Sequence, residues 1–203
     1  MLELGCGTGR LAAALAERAV ARVWAIEPSA EMAAAAGAAG VTVKQAAAER
    51  LPFKDGWFER VVARMVVHLL DRPRAFAEAR RVLGPDGRIV VASMDPDWFG
   101  QHWLDPWFPS VTRIDVERFP TAGRLEDELA AAGFDPTVER LEQPVAMTRD
   151  EALAKMRGRA FSTFELIPED EYREGLARAE AEVPERVEYR RVWLIASARI
   201  RPA

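Results

Sequence analysis

The sequence predicts an α/β protein built on a doubly wound, mostly parallel sheet with helices on both faces. Three observations carry that prediction. Short apolar stretches alternate with stretches of helical period from Leu2 to Met94. The first of these joints is a glycine loop, "LGCGTG", of the kind that turns a strand directly into a helix. The fourth apolar stretch, "FERVVARMVV", is nearly continuous, as expected of a strand covered on both faces.

Each element follows from its own pattern. Leu2 to Leu4 reads as the end of a buried strand. "RLAAALAERA" is helical, with Leu11 and Leu15 on one face. "RVWAIEPS" carries a strand from Arg22 to Glu27, and Ser29 is placed to cap the helix "AEMAAAAGAA". "VTVKQA" is a third strand, "LPFKDG" a loop, and residues 58–67 a fourth strand. Pro73 opens a helix whose apolar face is Phe76, Ala79 and Leu83, with Asp71 and Arg72 serving only its end. "GPDG" reads as a turn before a fifth strand, "RIVVASM". The pattern then breaks: residues 96–120 hold Trp98, Phe99, Trp103, Trp107 and Phe108 among prolines without a period. Regularity returns with a helix capped by Thr121, carrying Leu125 and Leu129 and ended by Gly133. "TVERLEQPVAM" is a strand, Thr148 to Glu151 a capping box for a helix, and Pro168 the start of a charged helix closing before Pro184. "VEYRRVWLIASARI" is the last strand.

Composition bounds the function. The 203 residues, 49% apolar, suit one domain with a substantial core. No apolar run approaches the ~20 residues that span a bilayer, and no signal peptide precedes the first motif. A single cysteine rules out a disulfide framework or a cysteine metal cluster, and no metal site is expected. Twenty-eight basic residues against 32 acidic ones give a net charge of −4, with no basic stripe for nucleic acid. A cytoplasmic protein with neither membrane nor nucleic-acid partner is the expectation.

The glycine loop carries the chemistry. Glycine lets a ligand approach bare backbone, and the following helix start offers free N–H groups and the positive end of a dipole. The dinucleotide fingerprint is G-x-G-x-x-G, whereas here Gly5, Gly7 and Gly9 alternate behind an acidic Glu3. That spacing points away from a pyrophosphate and disfavours an NAD-dependent oxidoreductase. Glu27, at the end of the second strand, suits a pair of ribose hydroxyls and would repel a 2′-phosphate.

Together, "LELGCGTGR", "VWAIEPSAEM" and "QAAAERLPFKDGWFERVVARMVVHLLDRPRAFAEARRVLGPDGRIVVAS" resemble the class I S-adenosylmethionine-dependent methyltransferases, over roughly residues 2–94. The likeness is to the broad group acting on small molecules. It implies a seven-stranded Rossmann-like sheet with an antiparallel last strand. S-adenosylmethionine would be the cofactor and S-adenosylhomocysteine the product. Carried over by position, Glu3, Gly5, Cys6, Gly7 and Gly9 would form the loop around the amino-acid part of the cofactor. Glu27 would hold the ribose, Pro28 and Met32 would pack near the adenine, and Ala48 would give its N–H to an adenine nitrogen. Ala47 stands where relatives place Asp, which leaves Glu49 or a water to meet the adenine amino group. Arg64 and Met65 would border the methionine moiety. His68 falls where relatives place a histidine, as a candidate general base or as a packing residue.

Residues 1–95 thus form a cofactor-binding half, and 96–120 and 149–183 are expected to cover the substrate cavity. Trp98, His102, Trp103 and Arg113 have the apolar-plus-polar character of an acceptor pocket. Methyl transfer from a sulfonium needs mainly alignment, so no catalytic residue is required and the acceptor atom stays open. A noncatalytic cofactor-binding protein is the alternative. The short lead before Gly5 suggests a front-truncated domain, with apolar surface left for a homodimer partner or for the helices of 149–183 to cover.

Overall fold

A computed structural model describes residues 1–18 and 22–202. Ala19, the last residue of the first expected helix, lies outside the described residues. Seven strands form one sheet in the order β3-β2-β1-β4-β5-β7-β6, parallel through β5 and antiparallel at its last strands. They are β1 Leu2–Leu4, β2 Trp24–Glu27, β3 Thr42–Gln45, β4 Phe58–Arg64, β5 Leu83–Met94, β6 Phe134–Thr148 and β7 Arg186–Ile200. The helices are α1 Arg10–Arg18, α2 Ala30–Ala38, α3 Arg72–Val82, α4 Pro109–Arg118, α5 Ala122–Ala131, α6 Arg149–Arg157 and α7 Glu169–Glu182. Short 3₁₀ turns fill Val67–Leu69, Pro96–Gln101 and Ser162–Glu165. Among the described residues no helix is long and apolar enough to cross a membrane.

The chain divides into two compact units. The first comprises Met1–Ser93, Ala122–Glu139 and Leu194–Ala203. Its sheet separates two apolar clusters. On one face Leu2, Leu4, Ile26, Val61 and Ala63 pack with Phe76, Ala79, Val82, Leu125 and Leu129 of α3 and α5. On the other, Ala25 packs with Ala12 of α1 and Ala36 of α2. Neighbouring residues Ala25 and Ile26 enter opposite clusters because side chains alternate along a strand. Helices therefore cover both faces around β1 and β2.

β4 departs from expectation in two ways. Val61 and Ala63 are fully buried, while Arg60 and Arg64 on the alternate face are exposed and Val62 is half-buried. The apolar run thus marks a strand covered on one face, not two. The strand also ends at Arg64 instead of reaching Val67, because Met65 adopts φ +53°. A non-glycine residue in that left-handed region turns the chain out of the strand.

Two further expectations are corrected. Leu83 does not belong to the helix; it opens β5, where it pairs with Phe58. The register jumps from Leu83 opposite Phe58 to Arg88 opposite Arg60, so "GPDG" bulges out between two paired parts of one strand. Arg72 does more than serve a helix end. Its guanidinium is buried and forks onto Glu128 of α5, with Nε–Oε2 of 2.5 Å and Nη2–Oε1 of 3.0 Å, and Nη1 donates to the Val67 carbonyl. Asp71 does cap α3, accepting from the Arg74 N–H.

The second unit comprises Met94–Thr121 and Arg140–Trp193. It has its own core, including Leu104, Phe108, Met156 and Phe164. Helix α4 lies within the stretch that lacked a sequence period. Its buried face carries Asp115, which accepts from the Thr163 hydroxyl at 2.5 Å and pairs with Arg118. A polar residue at a core-facing position erases the apolar period that marks a helix. The capping box at Thr148 forms as read, with Thr148 accepting from the Glu151 N–H and Glu151 accepting from the Thr148 N–H. Pro168 precedes α7, which ends before Pro184.

The Arg72–Glu128 pair yields a stability prediction. Arg72→Ala leaves Glu128 without its main buried partner and should cost about 3 kcal/mol by urea unfolding. Replacing both residues with Met should cost much less. Equal costs for the single and the double replacement would contradict a coupled pair.

Candidate functional site

Strand β1 lies between β2 and β4, where successive crossovers diverge and ligands of open α/β sheets bind. Its end turns sharply through three glycines, all with positive φ: +62° at Gly5, +55° at Gly7 and +83° at Gly9. A Cβ on Gly5 would lie 2.3 Å from Val66 Cγ2, and one on Gly9 would lie 2.8 Å from Val41 Cγ2. Those two positions are closed by packing. Gly7 differs, because a Cβ there would meet nothing within 4 Å. Its backbone borders open space, as a ligand cradle requires.

Glu27 ends β2 beneath this loop and is only 7% exposed. Its carboxylate accepts from the Gly7 N–H at 2.9 Å and from the Ser29 N–H at 3.0 Å. Ser29 in turn caps α2, accepting from the Met32 N–H at 3.3 Å. The Glu27 carbonyl receives the Ala46 N–H at 3.2 Å, which brings the segment after β3 alongside. In that segment Ala47 is exposed and Ala48 is buried in the core. Glu49 is occupied elsewhere, accepting from the Asp71 N–H at 2.9 Å. Pro28 and Met32 are exposed beside Glu27, and the Pro28 carbonyl accepts from Gln45.

Beyond β4, Met65 donates its N–H to the Ala92 carbonyl at 2.8 Å while holding its left-handed conformation. Val66 then returns over Gly5, and His68 sits half-buried on the turn Val67–Leu69. Thus Glu3 to Gly9, Glu27 to Met32, Ala46 to Glu49 and Arg64 to His68 gather at the carboxyl ends of four adjacent strands.

Two titratable groups under the loop are displaced from their ordinary behaviour. Glu3 is 3% exposed, and burial raises its carboxyl to about 7, outweighing the Ala12 amide and the Arg64 charge. Its Oε2 has no hydrogen-bond partner among the described residues. Cys6 is pushed up to about 11, first by burial and then by the charges of Glu3 and Glu27. It is therefore a protonated thiol at neutral pH, suited to lining a site and not to nucleophilic attack.

The four residues expected on the acceptor side belong to the second unit, and among the described residues they are divided between separate cavities and open surface. Trp98 and His102 line a space of about 10 Å³, the size of a single water. Burial and the Arg191 charge hold the His102 imidazole down at about 4, so it is neutral at physiological pH. Trp103 is buried, stacks on Tyr189 and lines a separate groove of about 460 Å³ with Trp107 and Val187. Arg113 is exposed and lies 3.8 Å from Glu117 on the same helix.

A glycine turn at the switch point of the sheet, with a buried carboxylate at the end of the next strand, defines a nucleoside-cofactor-binding α/β protein. Residues 2–91 match the family description "Methyltransferase domain". An uncharacterised protein of Mycobacterium tuberculosis is 32% identical over 155 residues, which cover 73% of this chain and 52% of that one. The chain thus spans about half the length of the first relatives it matches. A demethylmenaquinone methyltransferase of Thermus thermophilus is 34% identical over 181 residues, covering 72% of this chain and 79% of that enzyme. Among solved structures, geranyl diphosphate C-methyltransferase of Streptomyces coelicolor, crystallised with S-adenosyl-L-homocysteine, superposes with a TM-score of 0.60. The match covers 98% of this chain and 73% of that one at 18% identity, a likeness of fold. The chain belongs to the class I S-adenosylmethionine-dependent methyltransferases. The cofactor of that family is S-adenosylmethionine.

The buried Glu3 gives a pH prediction. Below about pH 4.5 the carboxyl is protonated whether the chain is folded or not. Between 4.5 and about 7 the unfolded chain ionises while the folded one retains the proton, so stability falls as pH rises and levels off above 7. The full shift corresponds to about 3 kcal/mol. Unfolding Glu3→Gln beside the wild type across this range should show the variant gaining about that much relative stability from pH 4.5 to 7. A constant difference would show that Glu3 ionises normally.

Proposed function

We propose that this protein transfers the methyl group of S-adenosylmethionine to a small molecule, holding the cofactor at the carboxyl ends of β1 to β4. The observation that carries the reading is the link between Gly7 and Glu27. It sets an open stretch of backbone beside a buried carboxylate whose remaining acceptor capacity suits ribose hydroxyls. The residues present fit the group. The cradle at Gly7 has room for it, and the unpartnered Glu3 Oε2 lies beneath the same loop.

In this reading Gly5, Cys6 and Gly7 hold the amino-acid end, with Gly9 closing the loop against α2. Glu27 holds the ribose, Pro28 and Met32 flank the adenine, and the Ala48 N–H meets a ring nitrogen. Ala47 offers no side-chain acceptor to the adenine amino group, and Glu49 is engaged at Asp71, so adenine is held there by backbone and packing. Arg64 and Met65 border the methionine portion. When bound, the cofactor supplies an electrophilic methyl group on a sulfonium. The chain's contribution is to align the acceptor and exclude water, which suffices for a nucleophile that carries no proton. His68, on the turn packed over Gly5, aids packing near the reacting centre and is not indispensable.

The acidic balance of 28 basic to 32 acidic residues supports a small acceptor over nucleic acid. So does the relative named a demethylmenaquinone methyltransferase. The noncatalytic alternative, which the missing acceptor at Ala47 would favour, is separated by turnover against a panel of methyl acceptors.

Calorimetry with S-adenosylhomocysteine tests the assignment. Glu27→Ala should lose ten- to a hundred-fold in affinity, the equivalent of about 1.5–3 kcal/mol. Because that change also frees two amides, Glu27→Gln is measured beside it as the conservative form. Wild-type affinity in Glu27→Ala would remove the reading. For His68→Ala, methyl transfer at saturating cofactor should fall less than 10²-fold, the lower bound of about 10²–10⁴ for loss of an acid or base. A larger fall with intact cofactor affinity would make His68 the base.

A further inference from the structure

The segment 46–56 between β3 and β4 has no helix or strand of its own, yet it contains Ala47, Ala48 and Glu49. Two anchors hold it. At its start the Ala46 N–H is tied to the Glu27 carbonyl. At its end the anchor is a pair of side chains on α3, Glu78 and Arg81.

Glu78 and Arg81 first lock each other, with Nε–Oε1 of 2.6 Å and Nη2–Oε2 of 2.8 Å. Glu78 Oε2 also accepts the Leu51 N–H at 2.7 Å, and Arg81 Nη2 donates to the Leu51 carbonyl at 3.0 Å. Arg81 Nη1 donates to the Phe53 carbonyl at 2.8 Å and to Asp55 Oδ1 at 2.7 Å. The Arg81 backbone carbonyl receives the Gly56 N–H at 3.0 Å. The guanidinium makes five hydrogen bonds, as many as it has N–H donors. Both backbone groups of Leu51 are satisfied by one ion pair, and Leu51 itself is 4% exposed. Only the planar fork of arginine reaches all of these acceptors at once; lysine is a single point of charge.

We propose that the Glu78–Arg81 pair is the positioning device for the adenine side of the cofactor site. It fixes the height and tilt of the Ala47–Ala48 backbone without touching the ligand. The proposal rests on the cofactor reading above. Charge-assisted hydrogen bonds on Leu51, three residues after Ala48, set where the Ala48 N–H points. The charged groups facing the pair are those already named, with Asp55 on the loop side. Arg81 holds the Glu78 carboxyl below its ordinary range, so the pair stays ionised at neutral pH.

The test uses Arg81→Lys, with Glu78→Gln as a second and nearly isosteric variant. Calorimetry is run with S-adenosylhomocysteine and, separately, with adenosine. Both ligands should weaken by the same factor, about ten-fold, because the loss is confined to the adenine end. The KM for S-adenosylmethionine should rise equally while kcat at saturation stays within about two-fold of wild type. Amide exchange should accelerate at Ala46 to Leu51 and stay unchanged in β1. Unchanged affinity for both ligands in a variant that melts earlier would show a merely structural pair and overturn the proposal. A fall in kcat without a change in KM would overturn it as well. If wild-type protein binds neither ligand, the cofactor reading fails first and the positioning role falls with it.

Discussion

Two backbone amides converge on the carboxylate of Glu27, one from the glycine loop at Gly7 and one from Ser29 at the head of α2. The Glu27 carbonyl takes a third, from Ala46. A charge 7% exposed is expensive unless it is hydrogen-bonded, so this residue fixes the relative placement of three loops at once. The ends of β1, β2 and β3 are thereby held to one geometry, the one in which we propose that the nucleoside is seated. The same interaction that satisfies the buried charge therefore shapes the site.

The opposite wall is held by strain and close packing. Met65 occupies a left-handed conformation that costs on the order of 1–3 kcal/mol, and it persists because its N–H is bonded to β5 and Val66 is seated over Gly5. Gly5 cannot gain a Cβ without colliding with Val66, so the loop and the end of β4 define each other. Gly7, between two closed glycines, is the position left free. Beneath them burial raises the Glu3 carboxyl to about 7 and keeps the Cys6 thiol protonated at neutral pH.

How much of this was legible depends on whether the cause is local. Caps at Ser29 and Thr148, the glycine after α5 and the alternation of strands with helices act over a few residues and can be read directly. So can the pairing of a glycine loop with Glu27, because strand order brings them together. The end of β4 could not be read, since Met65 is apolar in an apolar run and hydrophobicity does not encode φ. Helix α4 was hidden by Asp115, whose partner Thr163 lies 48 residues away. Arg72 looked like a helix-end residue because Glu128 is 56 residues distant. Arg81 was not singled out: its pairing with Glu78 looks like an ordinary i,i+3 helix pair, and the loop carbonyls of Leu51 and Phe53 that it also meets have no side-chain signal.

The central claim is that the Gly7–Glu27 link marks the seat of the cofactor. Amide chemical shifts followed during titration with S-adenosylhomocysteine address it most directly. The account predicts that the amides of Gly7, Ser29 and Ala46 to Ala48 shift together and saturate with one dissociation constant, while those of α7 stay in place. Saturable binding that leaves Gly7 and Ser29 unmoved would contradict it.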